Sequence, residues 1–311
     1  MIDTLTIGIR FALYVDLMLL FGLPLFGLYA LKGAERLHSN VLPLRALAIW
    51  LSATGIALSV LSIFAMTASM AGVTLLEVDR ASVSMMILET PMGKAWAVRM
   101  AALFVSLIIA IVMGRPKTPT WLMLVSLGSA TALASLAWTG HGAASEGAAG
   151  TRHLVADIVH LLAAGAWIGA LAALSALLFR PAHSMSQDHF RLTHRALEGF
   201  SLIGTAIVAL IVVSGLWNSW ILVGPEHLLS MRSTLYGQLL IAKLALFGVM
   251  LVLAAANRFR LTPAFNQAIK DGGTLAAITR LRRSLIFEVS AALLILGLVA
   301  WLGTLEPPMS M

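Results

Sequence analysis

Three histidines and two carboxylates, His141, Glu146, His153, Asp157 and His160, fall within a 20-residue stretch of a chain that is otherwise mostly apolar. Imidazole suits copper, zinc, nickel and iron, and carboxylate accepts harder ions, so the chemistry on offer is metal binding. The chain has no cysteine. That excludes disulfides, thiolate sites, a CxxCH haem attachment and iron–sulfur clusters, and leaves His, Met, Asp, Glu or backbone as ligands. His153, Asp157 and His160 stand at i, i+4 and i+7, on one face of a helix. His153 and His160 are two turns apart, about 10.5 Å, too far to chelate one ion by themselves. Asp157 lies between them and reaches either. His141 comes in from the preceding helix end, and Glu146 in the Gly/Ala-rich loop is an auxiliary oxygen ligand. The bland alternative is a polar helix end in headgroup water with an internal Asp–His hydrogen bond, and spacing alone leaves both open.

Other chemistry-bearing residues are scattered. Met66 and Met70 form an i, i+4 pair whose thioethers would select Cu(I) as auxiliary ligands, although methionine is also a common apolar filler. Asp16, Lys243 and Glu288 are ionisable residues inside apolar segments. They are expected to form a Lys–carboxylate ion pair between helices or a pathway for cations or protons. Glu288 is expected one turn into the last apolar segment and Asp16 in the outer third of the first. His183, His189 and His194 fall in a basic loop, 180–195, and are expected to be solvated.

These residues need helices in a bilayer to position them. The chain is 59% hydrophobic and 11% charged, with a mean hydropathy of +0.93, whereas a soluble domain carries about 25% charged residues. Eight segments are long and apolar enough to span: 9–31, 43–71, 94–114, 119–141, 153–180, 197–223, 234–257 and 284–305. The polar stretch between the second and third reads as an interfacial helix. Backbone groups in lipid demand helices or a closed barrel, so the fold class is an all-α integral membrane protein, one bundle of eight transmembrane helices. No basic tract carries regularly spaced aromatics, so nucleic acid is not a partner. The N-terminus, with Asp3 in place of a basic cluster, does not read as a cleavable signal. Fourteen Lys and Arg fall in the loops of one side and six on the other, Arg99 among the six. The positive-inside rule then puts both termini outside, and the 140–167 stretch at the outer face. In a bacterial inner membrane that face is periplasmic.

The stretch "GHGAASEG…RHLVADIVHLLAAGAWIGAL" carries Gly140, His141, His153, Asp157, His160, Trp167 and Gly169. Later segments carry Ser214-Gly215, Tyr236-Gly237, Lys243, Asn257-Arg258, Pro263 and Glu288. In this pattern the chain resembles the CopD family of copper-resistance inner-membrane proteins, also written PcoD or YcnJ-like. The resemblance is strong from about 138 onward, a CopD-like core of 138–311, and rests mainly on helix count over 1–137. It implies transport of a copper ion, Cu(I) or Cu(II), from the periplasm toward the cytoplasm, without enzymatic activity. His141, His153 and His160 become the outer ligands, with Asp157 as a ligand or as the partner that fixes a histidine tautomer. It also implies a periplasmic CopC-like partner, expected as a separate protein because this sequence contains no such domain. Two alternatives stay open: a haem b-binding membrane oxidoreductase, since a protoporphyrinogen-oxidising family is a distant cousin, and a copper sensor or scaffold that does not transport.

Overall fold

The computed structural model describes residues 2–36, 41–113, 119–140, 147–180, 186–224, 230–271 and 273–305. Among them there is no strand, and eight helical segments are long and apolar enough to cross a membrane. In chain order the helices are α1 (Ile2–Ala30), α2 (Leu44–Ala71), α3 (Arg80–Glu89), α4 (Pro91–Val112), α5 (Thr120–Ala134), α6 (Gly147–Leu178), α7 (Gln187–Val223), α8 (Leu235–Ala256), α9 (Thr262–Asp271) and α10 (Thr274–Leu302). A 3-10 turn, Ser135–Thr139, extends α5, and a π turn, Asn257–Leu261, joins α8 to α9. The polar stretch expected as an interfacial helix contains the helix α3. Its N-cap Asp79 accepts from the Ser82 N–H at 2.7 Å. The Ser82 backbone and hydroxyl together hold the Asp79 carboxyl below the usual carboxylate range.

The helices outrun the apolar segments that mark them. α6 starts at Gly147, α7 at Gln187 and α10 at Thr274, each well before the expected boundary. Apolarity reports only the part of a helix that lies in lipid, whereas the start is set by a cap. The Ser186 hydroxyl, for example, accepts from the His189 N–H at the head of α7. Glu288 therefore sits midway along α10, not one turn in, and Asp16 sits midway along α1. The supposed solvated loop is largely helix. His189 is buried, its Nε2 2.9 Å from the Leu177 carbonyl, and His194 pairs with Glu198 at 3.6 Å. His183 lies outside the described residues.

Two helices form the centre. α1 contacts α2, α5, α6, α7 and α10, and α6 contacts α1, α5, α7 and α10. The most apolar window of each is 67% buried, against 11% for the α8 segment. Their close crossing is built on glycine: a Cβ on Gly22 or Gly169 would strike the backbone of the opposite helix, the close approach that small residues permit between membrane helices. α2, α4 and α5 pack on one side of this pair, and α7, α10 and α8 on the other, α8 mainly through α10.

Arginines close the carbonyl ends of several helices. Arg36 donates to the Leu28 and Leu31 carbonyls, Arg45 to those of Ala110 and Ile111, and Arg282 to those of Leu178 and Arg180. The basic side identified from charge counting thus also satisfies orphan helix carbonyls. At the opposite end, Arg10 donates to the Thr139 carbonyl at 3.1 Å and lies against Gly303, tying α1, the α5 extension and α10 together.

Candidate functional site

Two of the three polar residues on the α6 face meet partners on α7. His160 Nδ1 lies 3.0 Å from Ser214 Oγ, and Asp157 Oδ1 accepts from Asn218 Nδ2 at 3.3 Å. Ser214 and Asn218 are themselves i, i+4, so two helices present matched polar pairs one turn apart. Ser214 stands in the sequence pattern without an assigned role and Asn218 is absent from it, since neither residue type is a common metal ligand. His153 is buried nearer the start of α6.

The hydrogen bonds favour one histidine tautomer. The single Ser214 hydroxyl proton is donated to the Leu210 carbonyl in its own helix, so Oγ receives the proton of His160 Nδ1–H. Nε2 then keeps the lone pair, the state in which a histidine binds a metal. Gly215 makes room for the ring, since a Cβ there would come within 3.1 Å of His160 Cε1.

His160 and Lys243 line one cavity of about 500 Å³ between α6, α7, α8 and α10, with walls that are otherwise mainly apolar. Lys243 makes no ion pair with Asp16 or Glu288, contrary to expectation. It lines the cavity with His160 instead, and makes no ion pair with Asp157 within 4 Å. Glu288 faces a second cavity, about 340 Å³, on the far side of Trp167, which lines both. There Glu288 accepts a hydrogen bond from Asn257 at the π turn. Trp167 is buried and packs edge-on against Phe200 with ring centres 6.1 Å apart.

No group of three or more His, Asp or Glu able to hold one metal ion occurs among the described residues. His141 and Glu146 lie outside them. Gly140, the last described residue of the preceding helix end, lies against Asp157: a Cβ there would be 3.9 Å from Oδ2. Met66 and Met70 line a third cavity, about 410 Å³, together with Arg10 and Arg99. Arg99, counted with the outer loop from sequence, is in α4 and only 1% exposed.

Eight helices long and apolar enough to span, with an imidazole and an ammonium group lining a cavity between them, define a polytopic membrane protein. Comparison with known proteins gives the family. Residues 1–151 match the family model "Copper resistance protein D-like, N-terminal domain", and residues 194–302 match "Copper resistance protein D". His153, Asp157 and His160 fall between the two matched segments. The chain is 47% identical to "Copper resistance protein D" of Pseudomonas syringae pv. tomato, over 99% of this chain and 98% of that protein. It is 28% identical to "Inner membrane protein YebZ" of Escherichia coli (strain K12), over 97% and 98%, respectively. It is 33% identical to "Copper transport protein CutJ" of Bacillus subtilis (strain 168), over 54% of this chain and 30% of that protein. No solved structure matches. The chain belongs to the copper resistance protein D family and is a copper-related, multi-pass protein of the inner membrane.

Proposed function

We propose that this protein moves copper from the periplasmic face of the inner membrane toward the cytoplasm, and that His153, Asp157 and His160 bind the ion in succession, not as one chelate. The observation that carries this is the file of donors down one face of α6. His153 lies nearest the helix start, Asp157 a turn further, and His160 about 20 Å along from Gly147 at 1.5 Å per residue. A storage site gathers its ligands, whereas donors spaced along the route favour a cargo that must leave again. His160 offers Nε2 to the ion, and Ser214 holds the ring in that tautomer. Lys243 supplies the counter-charge for Asp157 in the copper-free state, and an arriving copper ion takes over that role. Trp167 then divides the outer cavity from the one that Glu288 lines, and Glu288 is the next anionic group inward.

The outward orientation of this face rests on the lysine and arginine distribution. Delivery by a separate CopC-like periplasmic protein and a non-enzymatic role follow from the same reading. A haem b held by two histidines needs imidazoles on both sides of its ring. Among the described residues the cavity wall offers one, His160, and the other histidine of such a pair, His141, lies outside them.

Copper uptake into sealed vesicles reconstituted with the purified chain tests the proposal. Accumulation in the lumen above protein-free vesicles is expected. Copper that stays bound to the protein with an empty lumen would instead identify a sensor or scaffold. A Soret band in the purified protein would support the oxidoreductase.

A further inference from the structure

The third cavity differs from the other two in being lined by two cations and no carboxylate, where the first is lined by one cation, Lys243, and the second by Arg258 and Glu288. It is enclosed by α1, α2, α4 and the ends of α5 and α10, and two guanidinium groups, Arg10 and Arg99, line it. No Asp or Glu does. Arg99 is almost wholly buried, with one hydrogen bond, from Nη2 to Ser62 Oγ at 3.3 Å, while its Nε and Nη1 have no partner. Arg10 Nε and Thr6 Oγ1 are likewise buried without a partner, and both residues line the same space. Four unsatisfied polar atoms around one cavity are costly unless something answers them.

The nearby internal anions do not do so. Asp16, two residues beyond Tyr14 on α1, points its Oδ2 at Gly55 of α2, further along the same α1–α2–α4 interface; it does not line the cavity and makes no ion pair with either arginine. Asp157 feels the charge of Arg10 at longer range and takes its hydrogen bond from Asn218. Neither arginine has an ion-pair partner among the described residues.

Two guanidinium forks and a hydroxyl suit a tetrahedral oxyanion with several oxygens, because each fork can give two parallel charge-assisted hydrogen bonds. Two full positive charges repel a bare metal cation, although Met66, Met70 and Met92 line the same cavity. Those thioethers, with Ile63 and Leu136, give the rest of the wall an apolar character that would accept a hydrocarbon tail. We propose that this cavity binds a phosphate oxyanion through Arg10 and Arg99, carried on a phospholipid headgroup or free in solution.

The test uses the full chain, purified in detergent and stripped of lipid. Two probes are titrated, inorganic phosphate and phosphatidylglycerol in mixed micelles, with diacylglycerol as the phosphate-free control. Thermal unfolding and protein-bound phosphorus are read for each. Phosphatidylglycerol is expected to raise the unfolding temperature where diacylglycerol does not, and Arg99→Gln is expected to weaken the effect by about tenfold or more. Stabilisation by the lipid alone assigns the phosphate to a headgroup, and stabilisation by inorganic phosphate as well assigns it to a free anion. Arg10→Gln and Thr6→Val, at the cavity edge, give the same readout should Arg99→Gln fail to fold. Binding of neither probe to the wild type would overturn the proposal. So would an Asp16→Asn background in which Arg99→Gln no longer has any effect, since Asp16 would then be the internal counter-charge.

Discussion

The cavity between α6, α7, α8 and α10 is lined by one cation, Lys243, beside an imidazole, whereas the cavity between α1, α2 and α4 is lined by two guanidinium groups, and no carboxylate lines either. Lys243 lies near Asp157 and next to an imidazole whose Nε2 is held ready for a metal. Arg10 and Arg99 face a space lined by no carboxylate. A cation is acceptable as cargo where a carboxylate can exchange one positive partner for another, and unwelcome where two guanidinium groups already stand unopposed. On the two proposals, the halves of one bundle take ligands of opposite charge, with the glycine crossing of α1 and α6 between them.

That crossing is where the comparison breaks most severely. Gly169→Leu drives a side chain into the backbone at Gly22, and a loss of about 4 kcal/mol or more is expected. Size-exclusion chromatography should recover little monodisperse protein, with copper and phosphate binding lost together. A smaller change separates the halves. Asp157→Asn leaves Lys243 without its counter-charge, at about 2 kcal/mol, since the two are not in direct contact. Adding Lys243→Met should restore the unfolding temperature without restoring copper uptake, and should leave phosphate binding at the Arg99 cavity unchanged.

Smaller still is the effect of Ser214→Ala. Removing the hydroxyl frees the His160 ring to choose its tautomer, and copper affinity by equilibrium dialysis should fall about tenfold while the fold persists. The smallest effect is expected from the double variant Met66→Leu and Met70→Leu. These thioethers sit in the cation-lined cavity, so copper uptake should change by less than about twofold. A large loss would mean that copper passes through both halves.

Much of this architecture was legible from the residues. Long apolar runs disclose spans because lipid leaves the backbone no other choice. The i, i+4, i+7 pattern on α6 disclosed a polar face, because helical geometry is fixed. The depth of single residues was less legible: Asp16 and Glu288 are midway along their helices because polar turns carry α1 and α10 past the apolar run. Partner choice was not legible at all. Lys243 shares a cavity with His160 and makes no ion pair with Asp16 or Glu288, and Arg99 lies in the interior and not in the outer loop, because tertiary packing decides which charges face each other. His189 shows the same limit, since a histidine at the head of a long helix reads as solvated until the facing Leu177 carbonyl is known.

Copper bound at equilibrium to the purified wild type, to His153→Ala, to His160→Ala and to the double variant tests the central claim, that the α6 donors act in succession. Separate stations predict that each single variant loses part of the copper and that the double variant loses the remainder. Loss of all copper in either single variant would mean one shared chelate and would contradict the account.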